Sequence, residues 1–429
     1  MTLDQTLEYI HSLERFGSKP GLARITALLE ALGRPQDKLK FVHVAGTNGK
    51  GSTASMIASA LHAAGCKTGL YISPYVLEFR ERMQINGQMI PPRSLAEAVQ
   101  AVRGCIEAAG EDNPTEFEVI TAAALWWYAR EGCDAVVLEV GLGGRFDATN
   151  VIGPPMAAVI TAIDLDHTQV LGSTVEQIAG EKCGIIKQGT PVVSYPEQHP
   201  EALAVIMEHC ARQGGRLVMG SLAAAQVKSC TLEGSDILYR GHSLHIPLVG
   251  RHQVANCITA VETLLLLARQ GWPVTGQAIA AGIAAVRLPA RMEILSRSPL
   301  VILDGAHNLA GARVLEQAFE QLVQGKKITA VAGMLSDKDW QGAIDCIAPH
   351  IQSIFTVAPP NPRALPAARL AAAAAPYCRA QACDSPRQAW RLALAEEADA
   401  VLIWGSLYLA AEMRALVLGE GQQSAQTHP

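Results

Sequence analysis

The feature that most constrains this chain is a glycine-rich loop between a β-rich run and a helical run. The run KFVHVA, residues 40–45, has the β-branched and aromatic character of a buried strand. The run STASMIASALHAAG, which begins at Ser52, has an alanine-rich helical pattern that stops at Gly65. A strand, a tight loop and a helix in this order predict an α/β protein with a mostly parallel sheet.

The loop itself, Gly46-Thr47-Asn48-Gly49-Lys50-Gly51-Ser52, has the composition of a phosphate-binding site. Glycines let backbone N–H groups turn toward an anion, the helix N-terminus adds a favourable partial charge, and a lysine neutralises phosphate oxygens. The spacing differs from the common P-loop, because only two residues separate the first two glycines. A glycine-rich turn with an incidental lysine is the alternative.

The runs TGLYIS, CDAVVLEV, MAAVITAI and TPVVSY continue the first α/β series, and LVILDGAHN, ITAVAGML, SIFTVAPP and ADAVLIWGS form a second one. A chain of 429 residues is also longer than one hydrophobic core normally supports. The proline- and arginine-containing segment VRLPARMEILSRSP separates the two series. We therefore predict a first domain over residues 1–286, a linker over 287–298 and a second domain over 299–429.

Composition argues against several classes of protein. A formal net charge of −5 and the lack of a long Lys/Arg cluster give no basic footprint for nucleic acid. No unbroken apolar run reaches the length of a membrane span, and the acidic start MTLDQTLEYI does not fit a secretory signal. Ten cysteines without a C-x-x-C pair favour buried thiols in a reducing compartment. We expect a cytoplasmic protein whose partners are small molecules, not nucleic acid or membranes.

Acidic and imidazole side chains follow the predicted strands. Glu139 ends the strand DAVVLEV, and Asp164-Leu165-Asp166-His167 follows the strand AAVITAI. Ligands of doubly wound sheets bind beyond the carboxyl ends of the strands, and a carboxylate there suits magnesium. The alternatives are a solvent-facing glutamate and a histidine with only a loop role.

In the second series, Asp304 and His307 follow the strand LVIL and precede a helix that begins near Asn308. An aspartate can accept hydrogen bonds from a ribose or hold a cation, and a histidine can orient a phosphate or carboxylate. The alternative is an Asp/Asn turn that caps the helix.

Nine segments, read in order, resemble the folylpolyglutamate synthase family, relatives of the Mur ligases: FVHVAGTNGKGS, YISP with FRERM, LEVGLGGRFDATN, LDHTQVLG, EKCGIIK, LPARME, LDGAHN, GMLSDKD and GSLYLA. The resemblance covers about residues 15 to 410. It implies a P-loop-containing central domain of the Mur ligase type with a mostly parallel sheet, and a smaller Rossmann-like C-terminal α/β domain.

The activity that the resemblance implies is ATP-dependent addition of L-glutamate to a folate carboxylate through an acyl phosphate, with dihydropteroate as a further acceptor. Polyglutamylation alone and another Mur-type amino-acid ligase are the alternatives. A P-loop kinase or a nucleotide-gated binding protein would leave the second domain unexplained. We expect a monomer.

Site residues implied by the resemblance fall into three groups. For the nucleotide they are Thr47, Asn48, Gly49, Lys50, Gly51, Ser52, Asn256, Arg291 and Asp304. For one or two magnesium ions they are Ser73, Glu139, His167 and Lys182, the last as a carbamylated lysine. The residues with catalytic roles are Lys50, Lys182 and His307.

Substrate contacts implied by the resemblance lie in several loops. For the folate they are the stretch from Ser18 to Gly21, Thr115, Glu116, Phe117 and Asp147, and for glutamate they are Arg363 and Ser406. The ring of Phe117 can stack on a flat heterocycle, although ordinary core packing is the alternative. Arginine and serine can both bind carboxylates.

Overall fold

The computed structural model describes residues 1–13, 21–109 and 114–426. The chain divides into two compact units. The first consists of Met1–Gln226, Ile237–Ile246 and Gln253–Val286, and the second of Val227–Asp236, Pro247–His252 and Arg287–Pro429.

The first unit is built on an eight-stranded sheet. Its strands are β1 (Phe41–Ala45), β2 (Thr68–Tyr71), β3 (Met83–Ile85), β4 (Gln88–Met89), β5 (Ala135–Glu139), β6 (Ala157–Ile160), β7 (Val192–Ser194) and β8 (Leu217–Met219). They lie in the order β4-β3-β2-β5-β1-β6-β7-β8. The pairs from β2 to β8 are parallel, and the β2–β3 and β3–β4 pairs are antiparallel.

Helices of this part of the chain are α1 (Leu3–Ser12), α2 (Ala23–Ala31), α3 (Lys50–Ala63), α4 (Pro92–Ala109), α5 (Glu116–Arg130), α6 (Thr168–Leu171), α7 (Val175–Lys182), α8 (Pro200–Arg212), α9 (Arg251–Arg269) and α10 (Gly276–Ala285). The central strands β1 and β5 are buried along their whole length. This burial explains why both strands are apolar apart from His43 in β1 and Glu139 at the end of β5, because a parallel sheet is covered on both faces. A short three-stranded sheet follows in the chain, with β9 (Gln226–Thr231), β10 (Gly234–Tyr239) and β11 (His242–Ile246) in the order β11-β10-β9.

Helix α3, which begins at the glycine-rich loop, is held by close packing against α10. A Cβ atom on Gly282 of α10 would lie 2.3 Å from the Cα atom of Ala60 in α3. The Ser59 hydroxyl of α3 donates a hydrogen bond of 2.7 Å to the Gly282 carbonyl. Glycine thus lets the two helix backbones approach, and this approach fixes the helix that carries the loop.

The second unit contains a six-stranded sheet. Its strands are β12 (Glu293–Arg297), β13 (Leu300–Leu303), β14 (Ile328–Ala332), β15 (Ser353–Thr356), β16 (Arg379–Ala382) and β17 (Ala400–Trp404), in the order β12-β13-β17-β14-β15-β16. Only the β12–β13 pair among these is antiparallel. The helices are α11 (Leu309–Leu322), α12 (Trp340–Ile347), α13 (Ala367–Ala374), α14 (Pro386–Ala395) and α15 (Leu407–Gln426).

The predicted fold class is confirmed, since both units are α/β with mostly parallel sheets. Residues 287–298, expected as a linker, contain β12, which pairs with β13 in the second sheet. The role of this segment as a linker stays a prediction. Within the described residues, no helix has the length and apolar character needed to cross a membrane.

Candidate active site

The glycine-rich loop is anchored to the segment that follows β6. The N–H groups of Thr47 and Asn48 both donate to the Ala162 carbonyl, at 2.8 and 3.2 Å. The Thr47 hydroxyl donates to the Asp164 carbonyl and accepts from the Asp164 N–H, each at 3.0 Å. These bonds fix the first half of the loop at the carboxyl ends of β1 and β6.

Two glycines of the loop occupy positions that no side chain could share. A Cβ atom on Gly46 would lie 1.9 Å from the Thr161 hydroxyl oxygen. Gly49 has a φ of 81°, and its Cβ atom would lie 2.3 Å from Oδ1 of Asn256. Asn256 is buried and donates through Nδ2 to Gln253, at 3.0 Å. The structure therefore brings Asn256 against the loop.

The first turn of α3 offers an anion-binding surface. Gly49 at the N-cap contributes no side-chain hydrogen bond to the helix. The Lys50 ammonium donates to the carbonyls of Gly46 and Thr47, both at 3.1 Å, so its charge lies back over the loop. Backbone N–H groups, the helix dipole and this cation together suit phosphate oxygens.

Lys182, at the end of α7, reaches the same loop. Its side chain is buried, and Nζ donates a hydrogen bond of 2.8 Å to the Gly46 carbonyl. Burial and the nearby charge of Lys50 lower the pKa of Lys182 to about 7, while Asp166 and Asp147 act in the opposite direction. Carbamylation requires a neutral amine, and a lysine with this pKa is neutral in a large fraction of molecules at physiological pH.

Glu139, the last residue of β5, lies beside the first turn of α3. Its buried carboxylate accepts a hydrogen bond of 3.0 Å from the Ser73 N–H. A Cβ atom on Gly51 would lie 3.7 and 3.9 Å from the two carboxylate oxygens of Glu139. A side chain at position 51 would therefore be in van der Waals contact with this carboxylate. Glycine leaves that space open for the phosphates of a nucleotide.

This arrangement fits magnesium bound together with a nucleotide. Among the described residues, no group of three or more His, Cys, Asp and Glu side chains is arranged to hold a metal. Mg²⁺ typically uses one or two protein carboxylates and takes its other ligands from phosphate and water. A single buried glutamate beside an anion-binding helix N-terminus meets that requirement.

His167 occupies an exposed turn before α6. Its φ is 50°, and Nε2 lies 3.9 Å from Oδ1 of Asp166. Its assignment as a metal ligand stays a prediction. Asp166 was not among the predicted site residues, although its position after β6 was the available signal, and it is one of the two acids that act on Lys182.

The predicted folate residues Thr115, Glu116 and Phe117 lie at the start of α5. The Thr115 side chain caps this helix by accepting from the Glu118 N–H at 3.3 Å, so its hydroxyl has a structural task. The half-buried Phe117 ring packs against Gly141, where a Cβ atom would lie 2.5 Å from Cζ. Core packing is therefore part of the role of Phe117, and ring stacking on a folate stays a prediction.

Asp147 is buried and precedes the 3₁₀ turn Ala148–Val151. Its carboxylate accepts from the N–H groups of Leu142, at 2.8 Å, and Thr149, at 3.0 Å. Burial raises the pKa of Asp147, and these hydrogen bonds oppose the rise. In the predicted stretch from Ser18 to Gly21, residues 18–20 lie outside the described part of the chain.

In the second unit, Asp304 and Arg291 lie together. The Asp304 carboxylate accepts from the Met292 N–H at 2.8 Å and from the Ala306 N–H at 2.7 Å. Burial raises the pKa of Asp304, while the Arg291 charge opposes this. A Cβ atom on Gly305 would lie 3.1 Å from Nη1 of Arg291, so the lack of a side chain at residue 305 leaves space for the guanidinium.

His307 follows in the same loop. Its Nδ1 atom donates a hydrogen bond of 2.8 Å to the Gly305 carbonyl, which fixes the orientation of the ring. Asn308 caps α11 by accepting from the Gly311 N–H at 2.7 Å. The capping role thus belongs to Asn308, and His307 is not needed for it.

The two residues predicted to bind glutamate have local structural bonds. The exposed Arg363 guanidinium donates to Asp337 at 2.6 Å. The Ser406 hydroxyl is buried and accepts from the Leu409 N–H at 3.1 Å, at the start of α15. Their roles as carboxylate ligands stay predictions.

Comparison with known proteins places both units in one superfamily. A family model described as "Mur ligase middle domain" matches residues 44–264, and one described as "Mur ligase, glutamate ligase domain" matches residues 290–407. The folylpolyglutamate synthase of Lacticaseibacillus casei is 39% identical over 434 residues, which cover 98% of this chain and 99% of that protein. The residues matched by the middle-domain model include Lys50, Glu139 and Lys182. Those matched by the glutamate ligase model include Arg291 and His307.

Two solved structures are similar to this chain over nearly all of its length. Mycobacterium tuberculosis folylpolyglutamate synthase complexed with ADP and AMPPCP has a TM-score of 0.86 at 30% identity, covering 97% of this chain and 98% of that one. Escherichia coli FolC in complex with DHPP and ADP has a TM-score of 0.86 at 31% identity, covering 100% of this chain and 99% of that one.

Proposed function

Because the chain belongs to the folylpolyglutamate synthase family of the Mur ligase superfamily, we propose that it adds L-glutamate to a folate carboxylate with ATP, and to dihydropteroate as a second acceptor. One observation carries this proposal. The beginning of α3, the ammonium groups of Lys50 and Lys182, and the Glu139 carboxylate all lie at one loop. Phosphate-binding N–H groups, a lysine and a carboxylate that can hold a metal recur in enzymes that transfer phosphoryl groups from ATP.

The chemistry begins with the activation of a poor electrophile. A carboxylate becomes reactive when it attacks the γ-phosphorus of ATP, which forms an acyl phosphate and releases ADP. The amine of glutamate then attacks the acyl carbon, and the tetrahedral intermediate expels phosphate to leave an amide. Lys50 and the N–H groups of the first turn of α3 bind phosphate oxygens and stabilise the negative charge that develops on them.

Magnesium would be held by Glu139, with Ser73, His167 and a carbamylated Lys182 as the further candidates. When bound, the ion neutralises phosphate oxygens and aligns the transferred group. Glu139 is oriented for this task by the N–H of Ser73, which donates to Oε2. The buried Asn256 closes the other side of the loop through its contact with Gly49. In the second unit, Arg291 and Asp304 are the further nucleotide candidates.

His307 is the candidate that positions the incoming glutamate. The hydrogen bond to the Gly305 carbonyl fixes the orientation of the imidazole ring, and a ring held in this way can hydrogen-bond to the amine or a carboxylate of glutamate. Replacement of His307 by alanine should raise the KM for glutamate and lower kcat, while the KM for ATP changes little. Near-normal turnover of this variant would remove the proposed role.

The acceptor would lie near the start of α5 and the loop that carries Asp147. Phe117 contacts Gly141 in that loop, so these two folate candidates belong to one structural neighbourhood. Glu116 lies in the first turn of α5, next to Phe117. Arg363 and Ser406 remain the candidates for the carboxylates of glutamate.

The test is mass spectrometry of products after incubation with Mg-ATP and L-glutamate, in parallel reactions with dihydropteroate and with tetrahydrofolate. Gain of glutamyl units by both acceptors supports the full proposal, and gain by tetrahydrofolate alone restricts the enzyme to polyglutamylation. The Lys50→Ala variant is the matched control for contaminating ligase. ATP consumption without growth of either acceptor would favour another Mur-type amino-acid ligase.

A further inference from the structure

A line of hydrogen bonds connects the interior of the central sheet to the predicted acceptor loop. His43, in the middle of β1, lies with Nε2 2.9 Å from the hydroxyl oxygen of Thr149. The same hydroxyl donates to Oδ1 of Asp147 at 2.5 Å. All three side chains are buried, with His43 and Thr149 at 0% exposure.

The direction of each bond follows from counting protons. The Thr149 hydroxyl has a single proton and donates it to Oδ1 of Asp147. His43 therefore donates its Nε2 proton to the Thr149 oxygen. Burial lowers the pKa of His43 to about 3, with Lys187 acting in the same direction, so the ring is neutral with its proton on Nε2. Its Nδ1 atom is buried and has no hydrogen-bond partner in the described part of the chain.

This arrangement is costly as a purely structural device. Burying a polar ring with one nitrogen unsatisfied loses hydration that is not recovered, and an apolar residue at the same point of β1 would avoid this loss. Strand β1 is otherwise apolar, with Phe41, Val42, Val44 and Ala45 around the histidine. Among the residues that the structure describes, the hydrogen bond to Thr149 is the polar contact that accounts for the histidine.

Asp147 also connects His43 and Thr149 to the backbone of the loop that begins at Gly141. Its second oxygen, Oδ2, accepts from the Leu142 N–H at 2.8 Å. Gly141, the residue before Leu142, packs against the Phe117 ring. The 3₁₀ turn is fixed at its far end by Lys187, whose ammonium donates to the Asn150 carbonyl at 2.9 Å. Both oxygens of the carboxylate are therefore held by hydrogen bonds, and the turn that follows Asp147 is held at its far end by Lys187.

We propose that His43 and Thr149 are positioning residues that hold the Asp147 carboxylate in the orientation needed to bind the acceptor substrate. The inference rests on the proposed function, since Asp147 is a folate candidate there, and it adds two residues to the acceptor site that touch no substrate themselves. Loss of the hydrogen bonds from His43 through Thr149 to Asp147 should weaken binding of the acceptor but not binding of ATP.

The experiment compares Thr149→Val with Thr149→Ser. Valine keeps the shape and removes the hydroxyl, whereas serine keeps the hydroxyl. The matched control is Thr263→Val, which removes an equally buried hydroxyl that donates to the Thr259 carbonyl at 2.8 Å within α9. Steady-state KM values for acceptor and for ATP, together with kcat, are measured for the three variants and the wild type.

We expect Thr149→Val to raise the acceptor KM about tenfold or more, as for loss of a hydrogen bond to a charged group, with the ATP KM within about twofold of the wild type. Thr149→Ser and Thr263→Val should keep both constants near those of the wild type. If Thr149→Val does not fold, His43→Leu and His43→Gln give the same comparison, since only glutamine retains a donor toward Thr149.

Parallel changes of both KM values, or no change in the acceptor KM, would overturn the positioning role while the wild type remained an active ligase. A wild-type protein that attaches glutamate to neither acceptor would instead overturn the proposed function, and this inference with it. The two failures are therefore distinguishable.

Discussion

The Lys182 ammonium donates a hydrogen bond of 2.8 Å to the carbonyl oxygen of Gly46, the first residue of the phosphate loop. A buried lysine thus meets the backbone at the point where β1 turns toward α3. The same lysine has a pKa of about 7, because it is buried and lies near the charge of Lys50. The site therefore contains Lys50 and, close to it, a second lysine whose amine changes charge near neutral pH.

Replacement of Lys182 by either a cationic or an apolar residue should strongly lower turnover. Lys182→Arg keeps a positive charge but can neither lose its proton nor be carbamylated, and Lys182→Met loses the amine altogether. We expect both to lower kcat about 100-fold or more, on the scale of lost electrostatic stabilisation. Product formation measured by mass spectrometry checks this, and a Lys182→Arg variant with wild-type turnover would contradict it.

Carbamylation of Lys182 should increase as the pH rises. Carbamylation consumes the neutral amine, and the neutral fraction rises as pH increases through about 7. Intact-protein mass spectra, recorded with and without added bicarbonate, should show more adduct at pH 8 than at pH 6. A modification that decreased with rising pH would exclude carbamylation at this residue.

Gly49→Ala should disable the loop by collision as well as by backbone strain. Gly49 has a φ of 81°, and its new Cβ would meet Oδ1 of Asn256 at 2.3 Å. Gly65→Ala is the matched control, because Gly65 has a φ of 89° and nothing lies within 4 Å of the added atom. Both variants should lose about 1 kcal/mol of stability from the left-handed backbone.

Only Gly49→Ala should also lose nucleotide binding. We expect its affinity for ATP, measured by isothermal titration calorimetry, to fall about tenfold or more, since displacement of Asn256 disturbs the anion site. Equal losses of affinity in the two glycine variants would show that backbone strain, not the contact with Asn256, governs the loop.

Much of this fold was predictable because its signals are local. The strand, loop and helix around Gly46 were evident from apolar pattern and glycine spacing, and both parallel sheets follow from repeated strand and helix runs. The contact between Gly49 and Asn256 joins residues about 200 positions apart, and no local pattern encodes it. Asn256 was named only through family resemblance.

Side-chain roles were harder to predict for a physical reason. Thr115 and Ser406 were expected at substrates, yet both accept hydrogen bonds at helix starts, as serine and threonine commonly do. The sequence alone does not distinguish a hydroxyl that contacts a substrate from a hydroxyl that caps a helix. Thr149 shows the opposite case, because its proposed role depends on a hydrogen bond to His43, which lies far away in the sequence, in β1.

Acid should destabilise the first unit through His43. Its pKa is about 3 in the folded protein, against an ordinary value of 6.5. Because the unfolded chain takes up a proton that the folded chain does not, the stabilising contribution is complete above pH 6.5 and is lost as pH falls toward 3. Between pH 7 and pH 5 the loss from this group is about 2 kcal/mol.

Urea unfolding of the wild type and of His43→Gln at both pH values isolates this contribution. Other groups that titrate in this range act equally in the two proteins, so they cancel in the difference. We expect the free energy of unfolding of His43→Gln to fall less between pH 7 and pH 5. An equal fall in both proteins would mean that the histidine is accessible to protons in the folded state.

Glu139→Gln should separate metal binding from the structure of the site. Glutamine keeps an oxygen that can accept from the Ser73 N–H, as Oε2 of Glu139 does at 3.0 Å, but it removes the negative charge beside Gly51. Because Mg²⁺ depends on hard, charged oxygen ligands, we expect the magnesium concentration for half-maximal turnover to rise about tenfold or more. Glu208→Gln, at an exposed ion pair with Arg212, is the control for loss of a carboxylate elsewhere. Turnover measured across a magnesium titration at fixed ATP should shift for Glu139→Gln alone. A variant that lost turnover without any change in its magnesium requirement would show that Glu139 acts by positioning Ser73 and not by binding the metal.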